Sequence, residues 1–172
     1  MLILVRHAMP ALGPETPAHA WELSDAGHAA ARQLAGSLPA RPYLVASAEP
    51  KARQTLEAAG QVVCDERFNE IRRPEEPWEG DHRQVRRAYV GGVDHPGWEP
   101  RAQVAERFDG AVDEHLGIAW DRPLVVATHG MAMTVWLAAR IGLPDPGGHW
   151  AGLRLSDAHR VDLASGTVTR IR

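Results

Sequence analysis

The chain is poor in cysteine, in lysine and in the smaller aromatics. A single cysteine among 172 residues, Cys64, excludes an internal disulfide and fits a reducing compartment. Two phenylalanines and two tyrosines leave most of the core to aliphatic side chains, with six tryptophans beside them. No apolar run approaches the roughly 20 residues that span a bilayer. No basic n-region or cleavage site precedes the first apolar segment, so a cytoplasmic domain with no membrane partner is expected. The formal charge of −3 supplies no net positive field for a phosphate backbone, which argues against a nucleic-acid partner. Of the 19 basic residues only Lys51 is a lysine, which makes it a residue to explain.

What is present is ordinary globular composition, 44% hydrophobic and 24% charged, at a length that suits one domain over residues 1–172. Leu2 to Val5 read as a buried strand, and "LSDAGHAAARQLAGSLP" as a helix capped by Ser24 or Asp25 and stopped at Pro39. "PYLVAS" is a second strand, leading into the helix "AEPKARQTLEAAG" with Pro50 near its first turn. "QVVCDERF" reads as a third strand. From 69 to 99 the periodicity breaks down into a long excursion with a short polar helix at 81–89, a place where function is often found. A long helix begins at Pro100, "RPLVVATHGM" is a fourth strand, and a helix follows it. The tail alternates and turns at "ASG", as an edge strand or hairpin does. Strands alternating with helices predict an α/β domain of three layers, with a mostly parallel central sheet flanked by helices.

Two strand ends are alike. "LILVRHAMP" and "PLVVATHGM" each run directly into a histidine, and a parallel sheet would bring His7 and His129 to one edge. A third strand end supplies Ser47, followed by a helix whose first turn holds Lys51. Two histidines, Arg6, Lys51 and a helix N-terminus on one edge describe a pocket for a small anion, phosphate first among them.

These residues resemble the histidine phosphatase superfamily, also called phosphoglycerate mutase-like. Arg6-His7-Ala8 is similar to its Arg-His-Gly, "SAEPKARQT" to its second motif, and Thr128-His129-Gly130 to its late Ser/Thr-His-Gly. Glu70 in "FNEIRRP" and the later "PWEGD" match further pieces, and the ordered set spans most of the chain. The resemblance implies a phosphoglycerate mutase-like fold and a phosphatase acting on a small phosphorylated substrate. His7 would be the nucleophile, giving a phosphohistidine, and His129 would hydrogen-bond the phosphoryl group. Glu70 would protonate the leaving oxygen and then activate water. Arg6, Lys51 and Ser47 would form the phosphate site, with no metal or other cofactor required. Ala8 departs from the family glycine, and Lys51 stands where the family has an arginine. Arg53 is no substitute, since two helix positions turn it about 200° away.

Other residues have plainer readings. His19, His28, His82, His95, His115 and His159 are expected at the surface, Trp136 in the core, and His149 is a candidate to reach the pocket. Glu79 is the alternative proton donor. Arg72-Arg73 and Arg86-Arg87 read as solvated charge, and Trp78 and Trp98, which flank the excursion, as walls of a substrate pocket or as cover for apolar core. No His, Cys and carboxylate cluster has zinc-ligand spacing. The rival to a phosphatase is a weakened module that only binds phosphorylated ligands. A mutase ranks below both, because "AMPALGPETP" lacks the Ser/Thr and Asn that mutases place after their nucleophile.

Overall fold

The computed structural model describes residues 1–172. Its strands are β1 (Leu2–Arg6), β2 (Tyr43–Ala46), β3 (Val62–Cys64), β4 (Leu124–Thr128), β5 (Ala158–Asp162) and β6 (Thr167–Arg170). They form one sheet in the order β3-β2-β4-β1-β5-β6. The first four pair in parallel, and β5 and β6 close one edge as the antiparallel hairpin expected of the tail. The central strands are apolar on both faces because helices cover both.

The helices are α1 (Asp25–Ala35), α2 (Pro50–Glu57), α3 (Arg83–Val90), α4 (Arg101–Ala119), α5 (Gly130–Ile141) and α6 (Pro146–Gly152). Ile3, Val5, Leu44, Ala46, Val125 and Ala127 pack against Leu34 of α1 and Ala52 and Leu56 of α2. Leu2, Leu4, Leu124 and Val126, from the opposite pleats, join the larger core built on α3, α4 and α5. The result is the predicted three-layer α/β architecture. α5 is apolar nearly all round and buried from Gly130 to Leu137, which marks it as the central helix. Its Trp136 is fully buried, stacks on Phe108 of α4 and donates from Nε1 to Asp109 Oδ1 at 2.9 Å. No helix is long and apolar enough to cross a membrane.

Two elements differ from the sequence expectation. The third strand keeps only Val62–Cys64, because Asp65 accepts from the Arg67 N–H and turns the chain into a 3-10 turn at Glu66–Phe68. α6 forms where a loop was expected. Asp145 caps it by accepting from the Gly148 N–H, and Pro146 supplies a preset first turn.

α1 is docked on the loop that follows β1. Ser24 caps the helix through the Gly27 N–H and also donates, from both N and Oγ, to Met9 O. A Cβ on Gly27 would lie 2.1 Å from that same Met9 oxygen, so only glycine permits the approach. Gly27→Ala should therefore cost about 2–3 kcal/mol, the overpacking range, read as a lower urea midpoint at unchanged m. An unshifted midpoint would show that the Met9 loop yields freely.

Candidate active site

Arg6 pairs in register with Thr128, and the His7 N–H donates to Thr128 O at 2.9 Å. His7 and His129 therefore leave the sheet side by side, with ring centroids 5.2 Å apart. On the other flank of β4, Ser47 follows β2 and its N–H donates to Ala127 O at 2.9 Å. Three strand ends thus deliver His7, His129 and Ser47 to one edge, where strand order departs from chain order.

His7 is almost fully enclosed, and burial holds its pKa well below 6.5, helped by His129, Lys51 and Arg6. Its Nδ1 lies 2.8 Å from Ala8 O. A carbonyl only accepts, so Nδ1 carries the proton and Nε2 keeps its lone pair. Ala8 avoids positive φ, so the family glycine is not needed there. The Ala8 N–H is held by Thr55 Oγ1 at 2.9 Å, which fixes the loop after β1 on α2.

Burial lowers the His129 pKa to about 3; Lys51, Arg107 and Arg6 push the same way, and Glu70 opposes them. Ser47 is fully buried, and its hydroxyl donates to Asn69 Oδ1 at 2.7 Å. It therefore accepts from His129 Nε2 at 2.9 Å, and also from the Glu49 N–H at 3.1 Å. With those bonds made, Ser47 serves as a support for His129.

The cations are arranged differently from each other. Arg6 donates from Nη1 to Leu153 O at 2.8 Å, while its Nε is buried with no partner. Burial draws its pKa down, with Glu70 and Asp157 opposing. Lys51 is buried and donates to Glu49 Oε2 at 2.5 Å and to Ala18 O at 2.7 Å. An ammonium has three donors, so one remains. Arg53 lies outside the site, paired along its helix with Glu57.

Glu70 sits on the N-terminus of α5. Its Oε1 accepts from Ala132 N at 2.9 Å and Ile71 N at 3.1 Å, and its Oε2 from Met131 N at 3.4 Å. Glu79, the alternative, is exposed. Sequence reasoning missed three residues that hold this arrangement. Asn69 receives Ser47 and the Ala48 N–H. Glu49 turns its carboxylate inward to Lys51 and to the Glu70 N–H. Arg107 of α4 spans Glu99 and the carbonyls of Arg67, Asn69 and Glu70. Only Glu49, inside the second motif, carried a signal: a carboxylate two residues before the lone lysine.

Two histidines expected at the surface are buried. His115 bridges Tyr43 Oη and Asp65, and His159 packs against His149 with ring centroids 5.6 Å apart. His115 is buried with both ring nitrogens hydrogen-bonded, whereas His159 Nε2 is buried with no partner. His149 meets His159 instead of His7. Of the arginine pairs, Arg73 and Arg86 are engaged on Glu76, whereas Arg72, which reaches Glu99, and Arg87 are exposed. Trp98 packs on Tyr89, and Trp78 is exposed with its edge on Trp21. No group of three or more His, Cys, Asp or Glu side chains is arranged to hold a metal ion.

His129 and His159 are held neutral, the latter at a pKa of about 4 by burial and by neighbouring His149. Their ordinary value in the unfolded chain is near 6.5, so below it the unfolded state binds more protons. Their stabilisation is complete above that value and is lost as pH falls through the folded ones. Urea unfolding at pH 4.5 against pH 7 should show a loss on the order of 2 kcal/mol for each ring. His159→Leu should remove its share, and a variant as acid-sensitive as the parent would refute the assignment.

The profile of the histidine phosphatase superfamily (branch 1) matches residues 2–171. No curated protein sequence matches the chain significantly. Among solved structures, the chain is similar to mycobacterial glucosyl-3-phosphoglycerate phosphatase in complex with inorganic phosphate. That likeness has 24% identity and a TM-score of 0.73, covering 98% of this chain and 94% of that one. It is similar to TTHB049 from Thermus thermophilus, at 24% identity and a TM-score of 0.73 over 99% of this chain and 98% of that one. YhfR of Bacillus stearothermophilus matches at 21% identity and a TM-score of 0.70, over 99% of this chain and 94% of the other. With a family profile covering almost its whole length and the family's fold, the chain belongs to the histidine phosphatase superfamily.

Proposed function

We propose that the protein is a metal-independent phosphatase that hydrolyses a small phosphomonoester through a phosphohistidine on His7. One observation carries this reading: a buried, neutral His7 whose Nδ1–H is pinned on Ala8 O, which leaves Nε2 as a nucleophile beside Arg6 and His129. Nε2 attacks phosphorus, the P–N bond forms, and the bond to the leaving oxygen breaks. Glu70 gives that oxygen a proton and later takes one from the water that attacks the phosphohistidine. The products are the alcohol and orthophosphate, with His7 and Glu70 returned to their starting states.

Arg6 and the remaining donor of Lys51 meet the charge on the phosphoryl oxygens, so the cycle calls for no metal. Burial holds His129 neutral, and an arriving phosphate dianion favours its protonated form, which donates to the phosphoryl group. Ser47 acts by holding His129. The neighbour seen with inorganic phosphate is a sugar-phosphoglycerate phosphatase by name, which supports a small phosphorylated substrate here. The lone exposed Cys64 supports a cytoplasmic setting. Lys51, with two donors already engaged, favours the second reading, a module that binds phosphorylated ligands without turnover.

Labelling separates the two. A slow phosphodonor should place an acid-labile, base-stable phosphate on His7 and on no other residue. His7→Ala should abolish labelling and turnover together, and label on serine or aspartate would overturn the mechanism. A binder forms no phosphohistidine at all. Glu70→Gln should slow hydrolysis of alkyl phosphates by about 10²–10⁴-fold, the usual worth of general acid–base assistance. Phosphorylation by nitrophenyl phosphate, whose leaving group needs little protonation, should suffer less. Equal loss on both substrates would remove Glu70 from the role.

A further inference from the structure

Glu49 is a buried carboxylate beside a site for anions, a costly place for negative charge unless something requires it. It occupies the N-cap of α2 but makes no side-chain capping bond. Its carboxylate instead reaches across the site. Oε2 accepts from Lys51 at 2.5 Å, and Oε1 accepts from the Glu70 N–H at 2.9 Å and lies 3.5 Å from His129 Nε2. One side chain thus touches α2, the Asn69–Glu70 segment and the first residue after β4.

We propose that Glu49 is a positioning residue, one carboxylate oxygen aiming Lys51 and the other holding Glu70 in register. This rests on the phosphatase reading and extends it. Lysine is a compact charge on a flexible stem and lacks the planar fork with which arginine orients a phosphate. Glu49 and Ala18 O supply the missing orientation by taking two of its three donors. The third donor is then fixed before any phosphate arrives, so the ordering cost is met on folding. The same carboxylate cancels the charge of Lys51, leaving Arg6, with its unpartnered Nε, as the uncompensated cation. Lys51 and Glu49 therefore work as one unit, and neither has its effect without the other.

The two limbs can be cut separately. Glu49→Gln keeps an oxygen for the Glu70 N–H but sets an amide –NH2 against the ammonium, whereas Glu49→Ala removes both acceptors. Lys51 is the only lysine, so the amines open to trinitrobenzenesulfonate are Lys51 and Met1, which peptide mapping distinguishes from each other and from any adduct on the exposed Cys64. Lys51 in the parent should react slowly, and in Glu49→Gln about tenfold faster, with orthovanadate protecting it. Turnover of an alkyl phosphate by Glu49→Gln should fall about 10–100-fold, mostly in kcat, somewhat less than the loss of a preorganised donor. Glu49→Ala should lose more on alkyl than on nitrophenyl phosphate, because it also frees Glu70.

In a Lys51→Met background, Glu49→Gln should change turnover less than threefold, since the partner it acts through is gone. That double variant leaves no unpaired buried charge, so it carries the test if Glu49→Gln alone does not fold. Unchanged labelling of Lys51, or a further tenfold loss in the double variant, would overturn the proposal. So would a lower melting temperature with kcat intact below it. A parent that formed no phosphohistidine would sink the reaction proposed above, while the labelling rates would still decide Glu49.

Discussion

The hydrogen bond from the His7 N–H to Thr128 O is the joint on which the site hangs. It continues the ladder that pairs Leu2 with Leu124 and runs residue by residue to Arg6 with Thr128. On the other side of β4, Ala46 opposite Ala127 sets Ser47 in the same way. A slip of one residue on either ladder would turn every side chain to the opposite face. Arg6 would then trade faces with His7, and Ser47 would leave His129. Register is held by the two apolar cores, so aliphatic residues far from the pocket determine whether two imidazoles meet at 5.2 Å.

A second constraint follows from burial. Glu70 is bracketed by two ion pairs from opposite helices. On the α2 side, the Glu49–Lys51 pair receives its N–H; on the α4 side, Arg107, paired with the buried Glu99, reaches its carbonyl at 3.4 Å. Buried pairs add little net stability and are expensive to break singly, and their best-attested use is to specify one arrangement among several. Here each pair leaves one group over for the same backbone segment. The segment has no strand or helix of its own to fix it, so side-chain charge does what a ladder does elsewhere.

Much of this was legible in the sequence because it lies at strand ends. "LILVRH" and "LVVATH" are apolar on both faces, which predicts central parallel strands, and a residue just past such a strand has only the carboxyl edge to occupy. Glu49 was not legible, because an N-cap residue ordinarily turns back on its own helix, and nothing in the chain states that this one turns inward. Arg107 is one of two arginines on a long helix, and only tertiary packing aims it at Glu70. His115 and His159 were misread because a histidine's mean polarity says nothing of whether its Nε2 will find Asp65 or, as with His159, no partner. α6 went unseen because seven residues with three glycines carry too little periodicity, although Asp145-Pro146 was a start signal.

The excursion meets the site directly at its start, through Asn69 and Glu70, and indirectly further on. Arg73 and Arg86 share Glu76, and Arg72 shares Glu99 with Arg107, while Arg83 and Arg87 make no ion pair. The indirect link is the exposed Trp78, which sets its ring against Trp21 at 6.2 Å. Trp21 O accepts from the Lys51 N–H at 3.1 Å, and Ala18 O, three residues earlier, accepts from Lys51 Nζ. The loop from 13 to 21 is therefore shared between the excursion and the lone lysine. His7, His129 and Ser47 are fixed by the sheet and would not feel a change in that loop. Lys51 would, because one of its two internal acceptors belongs to it. An arginine with a full fork on the phosphate would be less exposed to such movement, since its own geometry would hold it. The lysine hands part of that task to Glu49 and part to the loop, so a movement of Trp78 and Trp21 is felt at the Lys51 ammonium.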